Sequence, residues 1–436
     1  MAAEGAKRRL IVWLRNDLRL TDNTLLHEAA SLCSGATGQA KYDEVLPVYI
    51  FDPRSYAVLK TGDYKTGVYR ALFVVQSVKD LKARLRQAIG SDLLVLVGKP
   101  EEVIQCLVRG CQSPQVLSSQ EVTSEELKVE AALERALKPV GGRLTRLWSN
   151  TLYHMDDLQS PQGPLGARGI KGMPDGFTSF REKVERGSRV RQALPAPSKG
   201  SLPLPSSASQ LQVPSSALLD RGQSGGAGDG GPSLQALLQA DPSFESLPWA
   251  EGAAPQPPGT HPQAVLKFQG GETAALARLK YYLWDSDLLS TYFDTRNGML
   301  GGDYSTKFAP WLAAGCISPR TIYHEIKKYE AQRIANKSTY WVIFELIWRD
   351  FFRFFAAKHE DRIFYESGTI GKKLPWVKDP SRYERWAQGK TGLPLVDANM
   401  RELAATGVCN IVNVNHLHTH LFASHRENAF MGRHPV

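Results

Sequence analysis

The chain has 436 residues, of which 42% are hydrophobic and 22% charged, and its 53 Lys and Arg against 44 Asp and Glu give a net charge of +9. These ordinary globular proportions exclude a wholly disordered or fibrous chain. No apolar run reaches the roughly 18 residues of a membrane span, which excludes an integral membrane protein. The positive charge is compatible with a polyanionic partner, although many enzymes without one carry a similar charge.

The cysteines show no pattern of a disulfide framework or of a zinc site. They are five in number, at positions 33, 106, 111, 316 and 409, and no pair is spaced C-x-x-C. With no signal peptide in the sequence, we expect reduced thiols in an intracellular protein. Cytosol or nucleus is the expected location, and import into a plastid or mitochondrion stays open because the true start can lie upstream.

Apolar runs alternate with helical patterns between residues 9 and 150. Helices are predicted at Glu101–Arg109, at Ser124–Leu137 and along an apolar stripe from Leu72 to Leu85. This alternation predicts a doubly wound, mostly parallel sheet that binds ligands at the carboxyl ends of its strands. Neither G-x-G-x-x-G after the first strand nor G-x-x-x-x-G-K-[ST] occurs, so a standard dinucleotide fingerprint and a Walker loop are both excluded. The predicted strands are Leu10–Leu14, Val45–Phe51, Leu93–Val97, Gln115–Leu117 and Leu144–Trp148.

A connecting segment is predicted from residue 151 to residue 269, with weak helical character at Phe177–Arg186. Within it, residues 195–259 are dominated by Pro, Ser, Gly and Ala and contain few large apolar side chains. So little apolar surface does not offset the entropy of ordering. We therefore expect a disordered linker, inserted at the surface.

Residues 270–407 are rich in aromatic side chains and predict a helical domain. Its helices are expected at Thr273–Trp284, Pro319–Tyr329, Ser338–His359 and Asp397–Thr406. In the third, five aromatic residues recur every three or four positions, after Ser338 as a suitable N-cap. The residues alone leave two interpretations open: a helix that faces a large aromatic ligand, or a core helix with a structural ion pair between Glu345 and Arg349.

Two loops carry possible binding chemistry. Residues 301–307, GGDYSTK, combine flexible backbone with the hydroxyls of Ser305 and Thr306 and the ammonium of Lys307. These are the donors that hold a pyrophosphate, although a solvated loop has the same composition. After the first predicted strand, Arg15 and Arg19 lie at the expected ligand-binding edge of the sheet, where a structural Arg–Asp pair is the alternative.

Four long segments resemble the photolyase/cryptochrome family: WLRNDLRLTDN (13–23), TRNGMLGGDYSTKFAPWLAAGCISPR (295–320), STYWVIFELIWRDFFRFF (338–355) and KTGLPLVDANMREL (390–403). The third is similar to the DASH cryptochromes in particular. The resemblance implies an α/β antenna domain at residues 9–150, a connecting segment, and a helical domain that holds FAD. It also implies a protein that binds single-stranded or damaged DNA without reading its sequence, acts as a monomer and does not enter membranes.

The resemblance also assigns roles to individual residues. Ser305, Thr306 and Lys307 would clasp the FAD phosphates beside Tyr292, while position 309 is Ala where relatives often have Ser. Arg349 would lie near the flavin. Glu345 and Trp348 would meet a flipped-out pyrimidine dimer, and Trp376 would be the surface end of an electron-transfer tryptophan chain. Gln120 and Glu121 match the place where relatives hold a methenyltetrahydrofolate antenna.

The resemblance leaves three alternatives for the function of the chain. The first is blue-light-driven repair of cyclobutane pyrimidine dimers, preferentially in single-stranded DNA, by an enzyme of the deoxyribodipyrimidine photo-lyase type. The second is a blue-light photoreceptor without repair. The third is an inactive product, because whether the chain is an enzyme depends on whether its FAD site is completed.

The third alternative rests on residues 408–436, which show no family motif. We expect the family sequence to be truncated after about Gly407, and translation through an unspliced intron would produce such a tail. Sequencing spliced transcripts across this junction tests that hypothesis. The five histidines between His416 and His434 follow no known ligand spacing, so no metal site is expected.

Overall fold

The computed structural model describes residues 7–35, 40–60, 62–207, 209, 211–219, 232–250, 254–375 and 379–408. Trp376, Cys409 and the tail histidines therefore lie outside the described residues. Among the helices that the structure describes, none is long and apolar enough to cross a membrane.

A five-stranded sheet organises the N-terminal part of the chain. Its strand order is β3-β2-β1-β4-β5, and each neighbouring pair is parallel, which confirms the predicted doubly wound sheet. The order reverses between β1 and β4, so the carboxyl ends of these two strands flank the crevice in which such sheets bind ligands. The strands are β1 (Arg9–Leu14), β2 (Glu44–Phe51), β3 (Leu94–Val97), β4 (Gln115–Ser119) and β5 (Arg143–Leu147).

Alternate side chains of β1 enter two separate hydrophobic cores. Leu10, Val12 and Leu14 belong to a large core that continues into the helical part of the chain. Ile11 and Trp13 belong to a second core on the opposite face of the sheet. All five are almost fully buried because both faces of a parallel sheet are covered.

The helices expected from periodicity are present, with bounds that differ by a few residues. The helix expected at Ser338 begins at Lys337, because Asn336 forms a capping box with Thr339. The Ser338 hydroxyl instead accepts a hydrogen bond from the backbone N–H of Phe293 at 3.0 Å. The helices are α1 (Thr24–Ser34), α2 (Val68–Arg84), α3 (Pro100–Leu107), α4 (Ser124–Leu137), α5 (Met155–Gln159), α6 (Phe177–Gly187), α7 (Leu234–Gln239), α8 (Glu272–Lys280), α9 (Tyr292–Thr295), α10 (Ala309–Ala313), α11 (Pro319–Gln332), α12 (Lys337–His359), α13 (Pro380–Ala387) and α14 (Pro394–Thr406).

The described parts of residues 195–259 are packed, so the prediction of a disordered linker is wrong for them. Leu202 and Trp249 are buried in the large core, and Leu211 and Leu234 are buried in the core on the other face of the sheet. Trp249 makes edge-to-face contacts with the rings of Tyr56 and Tyr64. The segment needs few apolar residues because it adds them to cores that the sheet has already begun.

Asp22 joins the α/β part to the helical part. It is fully buried, and its two carboxylate oxygens accept hydrogen bonds from Nη2 and Nε of Arg320, at 2.6 and 2.9 Å. The Ser318 hydroxyl and the backbone N–H of Leu194, at 2.8 Å, complete its environment. Four donors thus converge on one carboxylate at the junction.

Asp350 of α12 makes a second polar connection. Its two carboxyl oxygens accept hydrogen bonds from the backbone N–H groups of Leu152 and Tyr153, at 3.0 and 2.8 Å. Burial raises the pKa of Asp350 to about 7, although these two donors act to lower it. A carboxyl group with its usual pKa of about 3.9 in the unfolded chain therefore binds its proton more tightly in the folded chain.

We expect this group to destabilise the fold as the pH rises from about 4 to about 7, because ionisation is easier in the unfolded state. Asp350→Asn removes the titration. The free energy of unfolding of the wild type minus that of the variant should fall by up to about 1.4 kcal/mol per pH unit in this range. Urea unfolding at a series of pH values measures it, and a difference that is flat or rises with pH contradicts the prediction.

Candidate functional site

The loop at residues 301–307 is held from one side by Arg278 of α8. The guanidinium of Arg278 donates hydrogen bonds to the carbonyl oxygens of Gly302, Ser305 and Thr306 at 3.0–3.2 Å. It also pairs with the Asp303 carboxylate at 2.9 Å. Arg278 is 7% exposed, so a buried cation fixes the carbonyl side of the loop.

The donor groups of this loop have a different environment. The backbone N–H and hydroxyl groups of Ser305 and Thr306 make no hydrogen bond with any residue that the structure describes. Lys307 has a positive φ of 59° and lies with its ammonium 3.7 Å from the centre of the Tyr304 ring. Unpaired N–H and O–H donors beside a cation fit the oxygen atoms of a pyrophosphate.

Tyr292 and Glu345 are brought together by Arg296. Arg296 donates to the Glu345 carboxylate at 2.8 Å, and its guanidinium carbon lies 5.2 Å from the centre of the Trp341 ring. Burial raises the pKa of Tyr292, and burial also raises the pKa of Glu345, where the Arg296 cation opposes the shift. Of the two interpretations that the residues left open, the ion pair between Glu345 and Arg349 is wrong, because Glu345 pairs with Arg296 instead.

Arg349 lies at the junction of the two parts of the chain. Its guanidinium donates to the carbonyl oxygens of Asn150 and, at 3.2 Å, of Leu312. Burial lowers the pKa of Arg349 to about 10. These contacts connect the loop after β5 with α10. The role of Arg349 beside the flavin stays a prediction.

Trp348 is half-buried on α12, one helical turn after Glu345. The Phe177 ring stacks on its indole, with ring centres 3.5 Å apart and ring planes 6° apart. The Phe352 ring lies 5.5 Å from the indole, and 62% of the Phe352 side chain is exposed. The aromatic stripe of α12 is therefore part core and part surface.

Gln120 and Glu121 lie at the ligand-binding crevice of the sheet, directly after β4. Arg353 of α12 donates to the Gln120 carbonyl oxygen at 2.6 Å and lies 3.3 Å from the Glu121 carboxylate. Arg15, directly after β1, pairs with Glu130 at 2.6 Å. The buried Nε groups of Arg15 and Arg353 have no hydrogen-bond partner among the described residues, so they are donors available to an anionic ligand.

The structure thus places the predicted residues in three groups. The phosphate loop is one, Tyr292 with Glu345 is the second, and the crevice with Gln120 is the third. Sequence reasoning missed Arg278, Arg296 and Arg353, which position these groups. Arginines of this kind are not visible in a hydrophobic pattern, because their partners are carbonyl oxygens and carboxylates from distant parts of the chain.

Comparison with known proteins identifies the fold. The family model for DNA photolyase matches residues 10–198, and the model for the FAD binding domain of DNA photolyase matches residues 341–426. The second match continues beyond Gly407, so it includes part of the range that sequence analysis placed outside the family. Both matches agree with the resemblance in the sequence.

The chain belongs to the photolyase/cryptochrome family and carries its FAD-binding domain. Its curated relatives include DASH cryptochromes. That of Ostreococcus tauri is 44% identical over 92% of this chain and 70% of its own length, and that of Gloeobacter violaceus is 46% identical over 92% and 69%. The structure of a Synechocystis cryptochrome superposes with a TM-score of 0.78 at 38% identity, covering 96% of this chain and 76% of that one.

Proposed function

We propose that this protein is a FAD-dependent, blue-light-activated flavoprotein that repairs cyclobutane pyrimidine dimers, preferentially in single-stranded DNA. The observation that supports repair is the placement of Glu345 and Trp348 on consecutive turns of α12, next to Tyr292. A carboxyl group and an indole in this arrangement can hydrogen-bond a base edge and pack against its face. The net positive charge of +9 favours sequence-independent contact with phosphates.

Different residues of the chain would have different roles in such a site. The donors of Ser305 and Thr306, which have no partner among the described residues, would bind the FAD pyrophosphate together with Lys307 and beside Tyr292. FAD, when bound and reduced, would supply the light-excited electron. Trp348 and the half-buried Glu345 would orient the dimer and keep water from it.

We also propose an antenna pigment in the crevice beside Gln120 and Glu121. The unpartnered Nε groups of Arg15 and Arg353 suit an anionic pigment such as methenyltetrahydrofolate. The crystal structure of an archaeal photolyase from Sulfolobus tokodaii holds two FAD molecules, which is described as implying a novel light-harvesting cofactor. The protein is incubated with each pigment in turn, and its absorption spectrum then shows whether it has bound the folate or a second flavin.

For location, the curated name of the Ostreococcus tauri relative carries the words chloroplastic/mitochondrial. This supports organelle import as the alternative to cytosol or nucleus. We propose that the chain acts as a monomer.

A second candidate function is a blue-light photoreceptor without repair. The observation that favours it is the ion pair of Glu345 with Arg296 at 2.8 Å. A carboxylate held by a guanidinium must leave that partner before it can bind a base.

Repair of an oligothymidine that contains one dimer, in light and in dark, separates the two functions. Single-stranded and double-stranded forms are compared, with FAD bound and reduced. We expect light-dependent repair that is faster on the single strand. Absence of light-dependent repair on both forms contradicts the repair function and leaves the photoreceptor.

Glu345→Gln should lower the repair rate roughly 10- to 100-fold, because a hydrogen bond that involves a charged group contributes about 1.5–3 kcal/mol. The matched control is Glu134→Gln, which alters an exposed carboxylate on α4 paired with Arg146. The control should repair at the wild-type rate. Equal rates for the two variants would remove Glu345 from the proposed site.

A further inference from the structure

Phe177 begins α6 and occupies a hollow on the surface of α12. Its ring makes edge-to-face contacts with Phe344 and Phe351, with centres 5.2 and 5.7 Å apart and an angle of 84° in each case. Two perpendicular neighbours, two turns apart on one helix, define the plane of the ring between them. The orientation of Phe177 is therefore fixed by α12 itself.

The start of α6 is also attached to the end of α12. Lys358 donates to the Met173 carbonyl oxygen at 2.6 Å and pairs with Asp175 at 2.8 Å. His359 lies 2.6 Å from the same carboxylate. These contacts hold the residues just before Phe177 and prevent the ring from sliding along the helix.

Phe177 in turn covers one face of the Trp348 indole. Ring centres 3.5 Å apart with planes 6° apart mean that the two rings overlap almost completely. A face covered at this distance has no room for a nucleobase. The Phe352 ring also stacks on the indole, with ring centres 5.5 Å and planes 26° apart, but 62% of Phe352 is exposed. A base can therefore reach Trp348 only away from Phe177, beside or in place of the exposed Phe352 ring. The edge of the indole is also fixed, because Phe351 contacts it at 88°.

We propose that Phe177 is a positioning residue for Trp348: it sets the plane of the indole against which a pyrimidine dimer packs. This rests on the proposed repair function. It adds a residue from the connecting segment, outside the helical domain, to the recognition of damage. Without the Phe177 ring the indole would sample several orientations, and its contact with the dimer would weaken.

The test compares Phe177→Leu, which fills the hollow without a stacking ring, with Phe177→Tyr, which retains the ring. The measurement is the equilibrium affinity, in the dark, for an oligothymidine with one dimer relative to the same oligothymidine without it. We expect Phe177→Leu to lower this ratio roughly twofold to tenfold, the range of an aromatic pair. Phe177→Tyr should restore the wild-type ratio.

Phe180→Leu is the matched control for loss of an aromatic ring from α6. Phe180 is buried one turn after Phe177 and contacts Phe351 and Phe354. It should lower the midpoint of thermal unfolding and leave the affinity ratio unchanged. The proposal is overturned if Phe177→Leu keeps the wild-type ratio, or if Phe180→Leu lowers the ratio equally. A wild-type chain without preference for the dimer overturns the repair function, and this inference with it.

Discussion

Asp22→Asn is expected to lower the free energy of unfolding by about 3–5 kcal/mol, the typical loss when one partner of a buried ion pair is removed. The substitution leaves the buried Arg320 guanidinium without a counter-charge and disrupts the contacts with Ser318 and Leu194. Asparagine is the appropriate replacement because Asp22 has a φ of 56°, a conformation that asparagine also adopts. The measured effect thus reports the lost charge and hydrogen bonds, with little added backbone strain. Urea unfolding followed by circular dichroism measures it.

Asp157→Asn provides the control. Asp157 pairs with Arg191 through two bonds of 2.7 Å, but both side chains are more than one-third exposed. Solvent-exposed pairs contribute no more than about 1 kcal/mol. A loss at Asp22 that is as small as the loss at Asp157 would show that the junction does not depend on this carboxylate.

Arg278→Ala is expected to weaken FAD binding by roughly 10- to 100-fold, the equivalent of losing one charged hydrogen bond or more. The loop carbonyl oxygens of Gly302, Ser305 and Thr306 would lose their common donor, and the donor groups on the other side of the loop would no longer be held in place. Titration of the FAD-free protein with FAD, followed by flavin fluorescence, measures the dissociation constant. Circular dichroism of each variant confirms that the fold is retained.

Two further substitutions separate charge from geometry. Arg278→Lys keeps the charge but not the planar group that binds several oxygen atoms at once, so it should restore little of the lost affinity. Lys280→Ala alters an exposed cation on the same helix, which pairs with Asp285, and should bind FAD as the wild type does. If Arg278→Ala binds FAD normally, the loop does not require this anchor.

Much of the fold could be predicted because the signals are local. The strand Val45–Phe51 and the helix Ser338–His359 follow from short apolar periods in the sequence. By contrast, the burial of Leu202 and Trp249 could not be predicted from composition, because it depends on surfaces that the sheet presents far away in the chain. Sparse apolar residues in a segment rich in Pro and Ser are sufficient where a core already exists.

The candidate site divides in the same way. The resemblance placed Ser305, Thr306 and Glu345 by motif, and the structure adds the partners that motifs do not contain. Arg296 reaches Glu345 across 49 positions of the sequence, and Arg353 reaches Gln120 across 233. Such contacts arise from tertiary packing, so neither spacing nor hydropathy predicts them.

The burial of Leu202 and Trp249 also bears on the order in which the protein can fold during synthesis. The last strand of the sheet ends at Leu147, yet the large core includes Trp249 and the opposite core includes Leu237. When the ribosome has released all five strands, part of the apolar surface on both faces is still uncovered. The residues that cover it follow over about the next 100 positions of the chain. At about 5–20 residues per second, this leaves the nascent sheet incompletely covered for roughly 5–20 seconds. During that interval, chaperones that bind exposed apolar surface can bind the nascent chain.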